Sequence, residues 1–361
     1  MEIYARELIP ALREIAGPSL ELVAFVNREA AEAGGGPWGE LIPSVTVPVR
    51  ARNRVEWVRG EQLLLPRLSR WAGIDLLHSL ASTAPAQTAA RRIVTIHDLI
   101  YRVYPEAHAG VLTVGMRMLV RLAARRSERV IADSASTRDD LVRYLKVPES
   151  RIDVVALGAG ETARTAPMAE RELRARHGLG DRPVVLSVSA KRPHKNLLRL
   201  LEALALLPGE RRPVLVLPGY PTWHERELRE RAASLGVAGD VRFLEWVEDS
   251  ELEGLYAAAG AFVFPSLYEG FGLPVLEAMA RGVPVACSDR SSLPEVAGDA
   301  ALLFDPLDEG AMRTCIERLL FDEPLAERLR QLGAKQAERF SWKATAEGTA
   351  RTYRRALGCS E

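Results

Sequence analysis

Along the first part of the chain, short β-branched and aliphatic runs alternate with stretches whose apolar positions recur at helical spacing. The runs Leu20 to Val26, Ser44 to Val49, Ile74 to Ser79, Arg92 to Ile96, Arg129 to Asp133 and Ile152 to Ala156 read as strands. A second series follows: Val184 to Ser189, Val214 to Pro218, Val241 to Leu244, Ala261 to Pro265, Val283 to Ser288 and Ala301 to Phe304. Strands alternating with helices predict parallel sheets covered on both faces. The fold class is therefore α/β, with two Rossmann-like doubly wound domains.

Residues 158–183 separate the two series. They are rich in Gly, Ala and charge, with one helical stretch near Glu170 to His177. The domains are placed at 1–165 and 166–340. Leu325 to Phe340 and Trp342 to Leu357 read as closing helices, and 341–361 is expected to pack back toward the N-terminal domain. Trp342, Ala346, Thr349 and Tyr353 fall on one face of the last helix. The chain opens directly in an amphipathic helix, Ile3 to Ile15, whereas a doubly wound domain starts with a strand and a Gly-rich turn. The first strand is thus expected to be missing, through a misplaced start or a shortened chain. Its neighbours would then lack ladder partners.

Composition narrows the function classes. The 361 residues carry 48 basic and 48 acidic side chains and are 47% hydrophobic. This length suits two cores, and the balance removes a whole-protein electrostatic case for nucleic acid. Cys287, Cys315 and Cys359 are too few and scattered for a disulfide framework or zinc site. Met1 to Gly17 lacks the apolar run of a signal or membrane span. The expected location is the cytoplasm.

The segment with most chemistry is Phe262 to Asp289, FVFPSLYEGFGLPVLEAMARGVPVACSD, read as strand, Gly-bearing loop, short helix, Gly stop and strand. Pro274 suits the first helical position and Gly282 the left-handed stop, which predicts a helix over 274–281. Amides near Gly272, Leu273 and Val275 are expected to be free at its positive end, a ready site for phosphate. Gly270 and Gly272 leave room for a ligand to approach the backbone. Phe271 is apolar where turn chemistry favours polar residues, which points to function. Glu269 and Glu277 flank the cradle, and like charges beside a diphosphate are better spent on hydroxyls. The alternative is an ordinary crossover with solvated glutamates.

With Glu269-Gly-Phe-Gly-Leu-Pro-Val-Leu-Glu277, this segment resembles the E-x7-E motif of retaining GT-B glycosyltransferases, family 4 in particular (the mannosyltransferase-like group 1). The similarity extends over the second domain. It implies a GT-B fold of two domains facing a cleft, with Glu269 at the donor sugar and Glu277 at the ribose. Backbone at Phe271, Gly272 and Leu273 would touch sugar and diphosphate. Ser189 to Asn196 holds two of the five lysines, and the resemblance gives Lys195 the role of stabilising the leaving diphosphate. Where the family has an arginine, Ser189 and Ala190 stand, so Arg192 or Lys191 is the substitute. His97, at the end of a predicted strand, resembles the family's donor-facing histidine; a structural hydrogen-bonder is the plainer reading of a lone histidine there. Phe243 to Val247 would lie by the nucleotide base, held largely through backbone.

No metal and no cofactor are expected. His177, His194 and His224 lack ligand spacing, and GT-B enzymes generally handle the diphosphate without a metal. The donor, as substrate, is GDP-mannose by overall resemblance to polysaccharide mannosyltransferases, or a UDP-sugar. The acceptor is a glycan or lipid-linked glycan. Arg117, Arg121, Arg125 and Arg126 on helix 111–126 offer a peripheral contact with the inner face of an anionic membrane, or simply a solvated face. Ser134, Ser136 and Thr137 read as a cap before a helix over 139–145. The implied activity is a retaining hexosyltransferase. A nucleotide-sugar-binding protein with weak catalysis is the rival reading, and a GT-B epimerase or phosphorylase a third.

Overall fold

The computed structural model describes residues 2–17, 20–34, 39–105, 112–159 and 165–359. The chain forms two compact units, one of residues 1–103, 108–158 and 340–361, the other of 104–107 and 159–339. Residue 111, the expected start of the helix that ends at residue 126, lies outside the described residues.

In the first unit, helix α1 (Glu2–Ile15) leads to strand β1 (Ala24–Val26), helix α2 (Arg28–Glu32) and strand β2 (Ser44–Thr46). A helical stretch over 54–71 follows, then β3 (Leu76–Ser79), β4 (Arg91–Ile96), β5 (Arg129–Ala132) and β6 (Ile152–Val154). All pairings are parallel, yet the strands form two sheets, β1-β2 and β3-β4-β5-β6. The break falls between β1 and β3, each an end strand of its own sheet among the described residues. Val94, Ile96, Val130 and Ala132 are fully buried in the four-stranded part, as sheets covered on both faces require. The cap before residue 139 works earlier than expected. Ser134 accepts from the Thr137 amide and starts a helix at Ala135, because its side chain reaches the third amide of that turn.

In the second unit, β7 (Val184–Leu186), helix α3 (Leu197–Ala205), β8 (Val214–Leu217), helix α4 (Glu225–Ser234) and β9 (Val241–Phe243) come first. Strands β10 (Ala261–Phe264), β11 (Val285–Ser288) and β12 (Ala301–Phe304) follow, with helix α5 (Leu273–Ala280) joining β10 to β11. One parallel sheet results, in the order β12-β11-β10-β7-β8-β9. Its central strands are buried throughout. Phe262 and Phe264 are at most 1% exposed, and burial of such a side chain contributes about 1.5–3 kcal/mol.

After a helix over Glu323–Glu338, the last helix, α6 (Trp342–Leu357), belongs to the first unit and packs along α1. Its predicted face of Trp342, Ala346, Thr349 and Tyr353 is buried. The Thr345 hydroxyl donates to the Ala156 carbonyl at 2.8 Å. Arg355 Nη1 reaches Asp153 Oδ1 on β6 at 2.8 Å.

Candidate active site

The loop between β10 and α5 carries the glutamate motif. Helix α5 runs Leu273–Ala280, one residue earlier than the sequence suggests, because Gly272 takes the capping position with φ +111°. Pro274 therefore sits at the second helical position, where a missing N–H again costs nothing. Gly272 is required twice over: its φ disfavours L side chains, and a Cβ would lie 2.7 Å from Leu293 Cδ2. The Val275 amide is not free, since it donates to the Gly272 carbonyl at 3.0 Å in a tightened first turn. The open amides are those of Gly272 and Leu273, which donate no backbone hydrogen bond among the described residues. The Phe271 ring is 5% exposed, so packing explains its apolar character.

Lys195 and Glu269, 74 residues apart, meet here: Nζ and Oε1 are 2.5 Å apart, with side chains 16% and 11% exposed. Lys195 Nζ also lies 5.3 Å from the centre of the Phe264 ring, within cation–π range. The lysine is placed by a 3-10 turn over Pro193–Lys195, closed by Asn196 in the left-handed conformation at φ +58°. The Asn196 amide nitrogen Nδ2 donates to Pro265 O at 3.1 Å and Pro306 O at 2.7 Å, so the turn is tied to the exits of β10 and β12.

Glu277, one turn into α5, accepts from the buried Tyr256 hydroxyl at 3.2 Å. Burial first, and then the Glu277 charge, push that phenol well above its ordinary pKa, so it stays a proton donor. Tyr256, a core residue by its spacing, was not legible as a positioning group for Glu277. Nor were Ser291 and Ser292. The Ser292 hydroxyl is placed to donate to Phe271 O at 2.7 Å or Glu269 O at 3.1 Å, and that of Ser291 bonds the same Glu269 carbonyl. Two adjacent serines after a strand look like an ordinary turn in the sequence.

The two candidates for the absent arginine part company. Lys191 is fully buried, with Nζ donating to Gly219 O at 2.7 Å and Leu244 O at 2.6 Å and lying 3.5 Å from Glu225 Oε2. Desolvation lowers its pKa, against the pull of Glu225. It clamps the exits of β8 and β9 and has no reach left for a ligand. Arg192 is half-buried, and its guanidinium makes no hydrogen bond or ion pair among the described residues. The hydroxyls of Ser187 and Ser266, buried beyond the adjacent strands β7 and β10, also lack protein partners. Ligands of open α/β sheets bind at that edge.

In the first unit, His97 follows β4. Its Nδ1 is 2.6 Å from Asp133 Oδ2 and its Nε2 2.9 Å from Leu80 O. Both partners offer oxygen acceptors, an arrangement that favours a proton on each ring nitrogen. Burial opposes the charge, but Asp133 and the Leu80 carbonyl outweigh it and hold the pKa above the ordinary histidine value. The Tyr4 ring packs edge-on at 4.9 Å between centroids. Among the described residues no three His, Cys, Asp or Glu gather as metal ligands, and no helix is long and apolar enough to cross a membrane.

Comparison with known proteins gives this geometry a family. The model for glycosyltransferase family 4 matches residues 1–159, and that for glycosyl transferases group 1 matches 169–336. The O-antigen chain mannosyltransferase B of Escherichia coli is 33% identical over 304 residues, covering 82% of this chain and 80% of that protein. The chain belongs to glycosyltransferase family 4. The serotype-specific mannosyltransferase WbdA of Escherichia coli is also 33% identical, over 78% of this chain, which spans only 36% of the longer protein. Among solved structures, Anabaena HepE in complex with UDP and glucose superposes with a TM-score of 0.74 at 20% identity, over 98% of this chain and 95% of HepE. The fold is GT-B, and the protein is a glycosyltransferase.

Proposed function

We propose that this glycosyltransferase transfers mannose, with retention of anomeric configuration, from a nucleotide diphosphate sugar to a glycan or lipid-linked acceptor. The similarity to an O-antigen chain mannosyltransferase and a serotype-specific mannosyltransferase, each at 33% identity, supports the sugar. The observation that carries the reading is the Lys195–Glu269 pair beside the open amides of Gly272 and Leu273. Once Glu269 is displaced from Lys195, one cation, two backbone donors and a helix N-terminus offer the positive charge a diphosphate needs. Arg192 adds a second, uncommitted cation.

In this reading the donor pyrophosphate takes Lys195 from Glu269. The freed carboxylate then accepts hydrogen bonds from sugar hydroxyls, while Glu277, held by Tyr256, accepts from the ribose. As the glycosidic bond to the phosphate breaks, negative charge grows on the leaving oxygen, where Lys195 and the two amides stabilise it. A phosphate oxygen of the departing diphosphate takes the acceptor hydroxyl's proton, so attack comes from the face the diphosphate leaves. GDP is the favoured carrier and UDP the alternative. The reaction needs no metal where Lys195, Arg192 and the helix terminus supply the positive charge.

The test is calorimetric titration with GDP-mannose and UDP-glucose, followed by proton NMR of the sugar released on slow donor hydrolysis. GDP-mannose is expected to bind more tightly and to release α-mannose first. Binding of neither donor overturns the reading, preference for UDP-glucose overturns the donor, and β-mannose as first product overturns retention. Glu277→Ala is expected to raise the donor Kd. Binding without any turnover, hydrolytic or to acceptors, would favour the rival binding-protein reading.

A further inference from the structure

Behind the glutamate loop, two helices of the second unit meet through charged side chains. Glu253 and Tyr256 stand three residues apart on the helix Asp249–Ala258, and Glu277 and Arg281 four apart on α5 and its C-terminal cap. Each spacing puts the pair on one helical face. Arg281 Nε donates to Glu253 Oε2 at 2.8 Å and Nη2 donates to Glu253 Oε1, with side chains only 14% and 13% exposed. A planar fork held at two points has a fixed orientation. The remaining nitrogen, Nη1, donates to the Glu277 carbonyl at 3.1 Å, in the last turn of α5. The guanidinium carbon also lies 4.8 Å from the centre of the Tyr256 ring, within cation–π range.

Arg281 therefore holds Glu277 twice. It grips the backbone directly, and it packs on the phenol whose hydroxyl bonds the carboxylate. The Phe262 ring, 6.0 Å away between centroids and inclined at 28°, confines the same phenol. Burial opposes the guanidinium charge, but the hydrogen bonds from Glu253 and the charges around it outweigh burial and hold its pKa above the ordinary arginine value. A carboxylate fixed in this way has lost its rotamer freedom before any ligand arrives, so a hydroxyl in the right place is bound at low entropic cost. It also cannot turn away to find water when that hydroxyl is missing. A site built to bond a hydroxyl rejects the analogue without it, because the polar group it offers is left unpaired. A mobile glutamate would swing out to solvent and tolerate the loss.

We propose that Arg281, oriented by Glu253, is a positioning residue for Glu277, and that this brace gives the site its preference for ribonucleotide over 2′-deoxyribonucleotide donors. The proposal rests on the reading of Glu277 as the acceptor of ribose hydroxyls. Neither Glu253 nor Arg281 touches the donor. Both act through Tyr256 and the end of α5.

The experiment titrates GDP and 2′-deoxy-GDP calorimetrically into the full 361-residue chain and into Glu277→Ala, Tyr256→Phe, Arg281→Lys and the double variant Glu253→Met/Arg281→Met. The double variant avoids leaving one buried charge without its partner, and a thermal melt checks that it folds. The parent is expected to prefer GDP about tenfold or more, as a hydroxyl bonded to a charged group implies. In Glu277→Ala and in the double variant that ratio is expected to fall to about threefold or less, through weaker GDP binding with 2′-deoxy-GDP unchanged. Tyr256→Phe lowers it in the same selective way, and Arg281→Lys, which keeps the charge but not the fork, lies between parent and double variant. A ratio kept in the double variant but lost in Glu277→Ala overturns the brace and leaves Glu277 on the ribose. Equal weakening of both nucleotides in the double variant also overturns it, as the mark of general damage to the fold. A parent that does not distinguish the two nucleotides, or a ratio that survives in Glu277→Ala, overturns the ribose reading and the brace with it.

Discussion

The Lys195–Glu269 pair lends itself to a double-mutant cycle. At 2.5 Å, with both side chains more than four-fifths covered, the pair sits where a hydrogen bond between charged groups is worth about 1.5–3 kcal/mol. The raw Coulomb attraction, about 4 kcal/mol at 4 Å and an effective dielectric of 20, is partly cancelled by the cost of removing both charges from water. The prediction for the unliganded chain is that Lys195→Met and Glu269→Gln each destabilise it, while the double variant loses about 1.5–3 kcal/mol less than their sum. Urea unfolding monitored by tryptophan fluorescence supplies the four free energies. Donor titration adds a second readout: Glu269→Gln removes the competitor for Lys195, so binding of the bare nucleoside diphosphate tightens, whereas Lys195→Met weakens it. An interaction energy below about 0.5 kcal/mol, the limit of simple additivity, together with unchanged diphosphate affinity in Glu269→Gln, would refute the argument that the two groups hold one another until the donor arrives.

Other predictions concern supporting groups. Tyr256→Phe removes the hydroxyl that holds Glu277 and should weaken donor binding by about 0.5–1.5 kcal/mol, read by calorimetry, with kcat at saturating donor unchanged. Gly219→Ala, at φ +135° and with a Cβ only 2.1 Å from Ser189 O, should cost more than about 3 kcal/mol through strain and overlap; a near-normal melting midpoint would contradict the geometry. The pKa of His97 is raised in the folded state, so its stabilisation is complete below the unfolded histidine value near 6.5 and is lost as pH rises through the folded value. His97→Gln should flatten that alkaline decline in a pH series of denaturation midpoints. His78 behaves oppositely: burial, assisted by the charge of His97, lowers it to about 3. Its neutral form therefore favours folding above about 6.5, and that contribution falls away between about pH 6.5 and 3, a fall that His78→Phe should remove.

Much of this architecture was legible because strand and helix periods are local. Each predicted strand overlaps one of the twelve observed among the described residues, β4 starting one residue earlier than predicted, and the pattern of the last helix identified its buried face. Strand ends were less legible. The run to Ser189 leaves regular geometry after Leu186, although Ser187 and Ser189 still donate to Val216 and Pro218 at 3.1 Å; hydrogen bonding continues where the pleat does not. At the site, the glutamate spacing located the loop. Only three dimensions separate Lys191, locked under carbonyls of two other loops, from Arg192 beside it. Phe271 misled because burial in the fold, and not ligand contact, accounts for its side chain. Tyr256, Ser291 and Ser292 act from sequence distances at which no periodicity carries information.

The hydroxyls of Ser291 and Ser292 hold the backbone of Glu269 and Phe271 from across β11. The nine residues from one glutamate to the other are consequently not a portable cassette. Grafted into another scaffold without the serine-bearing turn that follows the next strand, they would carry the motif's letters but lack the brace that sets their curvature. Engineers wishing to exchange donor preference between relatives would do better to move the block from β10 through residue 292 in one piece.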